Sequence, residues 1–126
     1  MRSVIIVIEG DHILSLDTNE GKKQLCHIYN DISKELFGFG TTLLKVTFDN
    51  QLITFVARHR RSPRSAALEG EAPNLKYEVD FYMSSIYKKK LKERLEEELK
   101  LDMEAVLRDY DPHTQWAITN IIVRQA

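Results

Sequence analysis

Four arginines and a histidine fall within seven consecutive positions, Arg58, His59, Arg60, Arg61 and Arg64, inside the stretch VARHRRSPRSAALEGE of residues 56–71. Guanidinium groups grip carboxylates and phosphates through paired N–H donors. This density of charge can therefore serve an anionic ligand, an acidic partner or a nucleic-acid backbone, or it can be a solvated loop. Four arginines would neutralise about four phosphates, a weak, salt-sensitive and sequence-blind grip. No aromatic residue is interleaved with them to stack on bases, the nearest being Phe55 and Tyr77. The net charge of the chain is −1, so no overall field draws it to DNA or to an acidic membrane. The cluster holds four of the 18 basic residues and no acid, which leaves 14 basic against 19 acidic residues elsewhere. It is a local positive island, and these five residues are the expected partner- or anion-binding site, with weak nucleic-acid binding as the alternative.

Other reactive groups are scattered. Asp109 and Asp111 flank Tyr110 in a turn, where two carboxylates can hold a cation or act as acid and base; Asp before a turn proline more commonly hydrogen-bonds the turn backbone. Cys26 and His27 are adjacent on a helical segment, where side chains diverge by about 100° and form no nucleophile–base pair. The histidines His12, His27, His59 and His113 have no metal-ligand spacing. No phosphate-cradling glycine loop, nucleotide fingerprint or nucleophile elbow occurs. The expectation is a protein without catalytic residues, metal or cofactor, acting by contact rather than as an enzyme.

The elements that must position these residues follow from periodicity. At 126 residues, with 43% hydrophobic and 29% charged, the chain suits one domain, 1–126. The apolar run Val4–Ile8 is too short for a membrane span or signal-peptide core and is followed by Glu9 and Asp11. A single cysteine allows no internal disulfide, which suits a reducing cytoplasm. Leu25, Ile28, Tyr29, Ile32 and Leu36 make a helix face, with Thr18 or Asn19 as its cap and Gly38 as its left-handed end. Leu44, Val46 and Phe48, then Ile53, Phe55 and Ala57, alternate about an Asp49-Asn50 turn as a β-hairpin. Ser62-Pro63 starts a short helix ending at Gly70, residues 71–79 read as loop, and a longer helix runs from Asp80 to Lys100 with Met83, Tyr87, Leu91, Leu95 and Leu99 spaced by four. Glu96, Glu97 and Glu98 sit where that helix dipole favours cations, which makes the arginine loop a candidate neighbour. Met103, Ala105 and Leu107 then face one way and Glu104, Val106 and Arg108 the other, and Asp111-Pro112 turns the chain as a type I turn into WAITNIIV. Helix–strand–strand thus occurs twice, as an internal duplication. The fold class is α+β, a two-layer sandwich of an antiparallel sheet and two main helices.

The segment VLRDYDPHTQWAITNIIV resembles the closing hairpin of the MpsC-like family. These are small soluble bacterial proteins named for a component of a sodium-translocating, membrane-potential-generating system. IYNDISKELFGFGTTLLKVTFDNQLITFVARHRRSP is similar to that family's first helix, glycine pair, hairpin and basic stretch. The likeness covers residues 25–124 as an α-β-β-α-β-β core and leaves 1–24 as an N-terminal extension. It implies a cytoplasmic accessory protein with a protein partner, associated with a membrane cation- or bicarbonate-transport system and not inserted in the bilayer. It implies no catalytic residue.

The last strand carries one further expectation. Trp116, Ile118, Asn120 and Ile122 lie on one face and Ala117, Thr119, Ile121 and Val123 on the other, so both faces are largely apolar. Helices on one side cover only one of them. The other is covered either by the N-terminal run Val4–Ile8 or by a second subunit; a homodimer is the expectation, with Trp116, Ile121 and Val123 on the oligomer face.

Overall fold

A computed structural model describes residues 15–124; Val4–Ile8 lies outside them. Helix α1 spans Asn19–Phe37, strands β1 and β2 span Leu43–Asp49 and Leu52–Arg58, helices α2 and α3 span Pro63–Glu71 and Pro73–Leu99, and strands β3 and β4 span Met103–Asp111 and Trp116–Val123. The strands form one antiparallel sheet in the order β1-β2-β4-β3. The α1 and α3 helices pack on each other, α1 against β1 and α3 against β3, and α2 leans on α3. This is the expected α+β sandwich, and the antiparallel β2–β4 pair joins the two helix–hairpin units as a duplicated unit would be joined.

The caps explain where the first helix sits. The Thr18 side chain accepts from the Gly21 amide at 3.0 Å, and Gly38, at φ 91°, donates its N–H to the Lys34 carbonyl. Gly21 is required for another reason: a Cβ there would lie 2.1 Å from the Leu16 carbonyl oxygen. Leu16 itself is buried in the core, so the packed unit begins before residue 25.

The third helix starts earlier than its periodicity suggests. Pro73 occupies the first turn, where its missing N–H costs nothing. The turns that follow expose Leu75, Tyr77, Phe81 and Tyr82, so no apolar stripe marks 73–79 as helix. The shorter α2 continues through Gly70 to Glu71 and buries no residue. The Asp111 turn is wider than type I: Gln115 donates back to the Asp111 carbonyl with φ 64°.

Two corrections concern the sheet faces. Glu104 is an extra residue between Met103, paired with Val123, and Ala105, paired with Ile122. This bulge reverses the phase of the rest of β3. Met103 packs in the core with Val106, and Arg108 and Tyr110 turn to the same helix side, while Ala105, Leu107 and Asp109 face away. Second, Ile121 and Val123 are fully buried beneath the helices and are not on an open face. The face that no described element covers is the other one. Its cross-strand rows are Leu43–Arg58–Trp116–Asp111, Lys45–Val56–Ile118–Asp109, Thr47–Thr54–Asn120–Leu107 and Asp49–Leu52–Ile122–Ala105.

The two main helices are tied together by one buried phenol. Tyr87 Oη donates to the Tyr29 carbonyl at 2.6 Å and meets the Ser33 hydroxyl at 2.7 Å, all three residues being fully buried. Burial keeps this phenol protonated by pushing its pKa up. Tyr87→Phe leaves those groups without their partner and should cost about 1–3 kcal/mol, read as a lower denaturant midpoint at unchanged slope.

Candidate functional site

Where the helices and sheet diverge, a cavity of about 660 Å³ opens. Its walls come from the end of α1 with Phe39, the loop after β2, the α2 roof, the N-terminal half of α3 and the end of β3. Leu36, Phe37, Phe39, Leu68, Val79 and Met83 make it largely apolar. Arg60, Arg64, Lys76 and Arg108 line it against the single carboxylate of Asp80, and that carboxylate is taken by Lys76 Nζ at 2.6 Å. The size is that of a small-molecule site.

Arg108 is its centre. The bulge at Glu104 aims this residue under the helices, where its guanidinium carbon lies 4.0 Å from the Tyr87 ring centroid. Its Nη1 donates to Tyr29 Oη at 2.7 Å and Thr119 Oγ1 at 3.2 Å, and Nη2 donates to His59 Nε2 at 3.1 Å. Those bonds use three of five N–H donors. The buried Nε–H has no partner, and no carboxylate forms an ion pair with Arg108 among the described residues.

His59 completes the floor. Its Nε2 accepts from Arg108 and lies 3.2 Å from Tyr29 Oη, which places the ring proton on Nδ1. Burial first, and the Arg108 charge second, push the imidazole down to about 3. Phe37, Tyr29, Tyr87 and Tyr110 surround the ring. Burial, with the Asp80 charge adding, pushes the Tyr110 phenol up to about 12, so it stays a neutral donor beside the cavity.

The five-residue basic cluster does not act as one. His59, Arg60 and Arg64 line the cavity, Arg60 lying over the Phe39 ring. Arg58 leaves on the open sheet face, over Trp116, with Nε on the Thr114 carbonyl. Arg61 is pinned to Glu69 and to the Pro112 and His113 carbonyls. The strand period and the turn after it send neighbours to different sides. Nor does the cluster answer Glu96–Glu98: it faces the N-terminal half of α3, and Glu98 pairs with Arg94.

Asp109 and Asp111 form no acid–base pair. Asp111 accepts from the Thr114 hydroxyl at 2.6 Å and is held low by that bond, while Asp109 faces outward. Cys26 packs against the core edge, where burial raises its thiol, and His27 pairs with Asp31. Among the described residues no group of three His, Cys, Asp or Glu side chains could hold a metal, and no helix is long and apolar enough to cross a membrane.

Tyr29, Lys76, Asp80, Tyr87, Arg108 and Thr119 belong to this site although their spacing announces nothing. One sign was available: Val106 and Tyr110 bracket Arg108 at two-residue steps, an apolar-sided frame around a cation. Compared with protein-family models, curated proteins and solved structures, the chain matches none.

The neutral histidine makes stability depend on pH. Unfolded His59 titrates near 6.5 and folded His59 near 3, so its contribution is complete above pH 6.5 and declines as pH falls towards 3. By pH 5 the loss should be about 2 kcal/mol. A His59→Gln protein should show a flatter stability profile between pH 7 and pH 5 in denaturant titrations.

Proposed function

We propose that the protein binds a small amphipathic anion, a carboxylate with an aromatic or aliphatic body, in the cavity floored by Arg108. The observation that carries this reading is the orphaned Arg108 Nε–H on an ion-unpaired guanidinium lining an apolar cavity. A buried charge without a counter-ion is costly, and an anion entering the cavity supplies one. Nε–H and one Nη2 hydrogen are the guanidinium donors without a partner, and Tyr110 lines the same cavity. Arg60 and Arg64 add attraction for the incoming charge, and the apolar walls take the body.

The role is binding rather than turnover. His59 Nε2 is already occupied by Arg108 and Tyr29, so the imidazole has no lone pair turned to a substrate. An accessory role of the kind implied by the MpsC-like resemblance is compatible with this: a ligand-loaded protein can report to a partner through the α2 roof.

The test uses 8-anilinonaphthalene-1-sulfonate as probe, with octanoate and an aromatic carboxylate as competitors and inorganic phosphate as a control. The dye should bind with enhanced fluorescence, both carboxylates should displace it, and phosphate should not. Arg108→Met should weaken binding at least tenfold, the scale of a lost charged hydrogen bond. Dye binding that survives Arg108→Met, or a folded protein that binds neither dye nor carboxylate, overturns the assignment.

A further inference from the structure

We infer that the uncovered sheet face binds a second copy of this chain about a two-fold axis running along the strands between β2 and β4. This surface lies on the opposite side of the sheet from the cavity and does not depend on the ligand reading. Its centre is apolar and wet: Ile118 is 46% exposed, with half-buried Val56 beside it. In the row Lys45–Val56–Ile118–Asp109 an apolar pair lies between charged ends, the arrangement of an interface core and its rim.

The charge pattern selects the partner and the axis. Lys45 on edge strand β1 and Asp109 on edge strand β3 lie at the two ends of the cross-strand row that contains Val56 and Ile118. A two-fold axis along the strands lays β1 of one copy over β3 of the other. Each Lys45 then meets an Asp109 of the partner, and Val56 meets Ile118. An axis across the strands would instead set Lys45 against Lys45 and Asp109 against Asp109, which like charges disfavour. In the adjacent row Thr54 Oγ1 donates to Asn120 Oδ1 at 2.7 Å, leaving the Asn120 amide hydrogens for the other copy.

Geometry permits the contact. Packed sheets sit about 10 Å apart and cross at about 30°. The edge strands lie about 7 Å from the axis, from a strand spacing of about 4.8 Å. The crossing angle therefore displaces facing edge residues by about 4 Å. A lysine side chain spans that offset.

The full chain should sediment at twice 14.7 kDa at micromolar concentration. Asp109→Lys alone and Lys45→Asp alone should each give folded monomer, with unchanged circular dichroism. The double variant Lys45→Asp/Asp109→Lys should restore the dimer, because the pair is exchanged rather than lost. A monomer for the unmodified chain at every concentration overturns the proposal. So does a dimer indifferent to both single reversals, or a double variant that stays monomeric. Ile118→Lys should also give monomer, and a dimer that survives it overturns the use of this face.

Discussion

A guanidinium stacked 4.0 Å from the Tyr87 ring, with no carboxylate to neutralise it among the described residues, is the constraint around which the helix side of the sheet is arranged. Removing such a group from water costs several kcal/mol even after relaxation. The surroundings offset that cost in kind. The ring face of Tyr87 supplies a cation–π contact worth about 2 kcal/mol when desolvated, and Tyr29, Thr119 and His59 supply acceptors. His59 can accept only while neutral, and burial first, with the Arg108 charge second, keeps it so. Tyr29 in turn donates where it is not accepting. The network is closed except at Nε and one Nη2 hydrogen.

That network rests on one inserted residue. Without the Glu104 bulge, strict alternation from buried Met103 would turn Ala105, Leu107 and Asp109 to the helices and Arg108 to solvent. The bulge spends one residue to exchange those sets. It also leaves Leu107 and Asp109 on the open face, in rows with Asn120 and Ile118. A single local irregularity therefore sets the composition of both faces.

This explains how much of the molecule was legible in its sequence. The α1 caps, the β1–β2 hairpin and the core positions Tyr87, Leu91 and Leu95 follow from spacing, because local periodicity and burial agree there. The bulge leaves no glycine or proline to mark it, so strict alternation groups Met103 with Ala105 and Leu107 instead of with Val106 and Arg108. The start of α3 was hidden because exposed aromatics replace the expected polar residues. The arginine cluster was visible, but its members part company: a strand end sends Arg58 and His59 to opposite faces, and Glu69 captures Arg61. The site is built instead from residues far apart in sequence, Tyr29, His59, Tyr87 and Arg108, whose meeting is a property of topology rather than of any motif.

The sheet separates two different kinds of unfinished surface. On the helix side the deficit is electrostatic, a cation with a free donor beneath a roof, α2, that buries no residue of its own. On the open side the deficit is hydrophobic, a central apolar row with opposite charges at its two ends. The two meet at adjacent residues of one segment: Arg58 belongs to the open face and lies over Trp116, while His59 belongs to the cavity floor. The His59 amide donates to the Gln115 carbonyl, and Arg58 reaches the Thr114 carbonyl of the same turn. One turn therefore anchors both residues, Arg58 on the open face and His59 on the cavity floor.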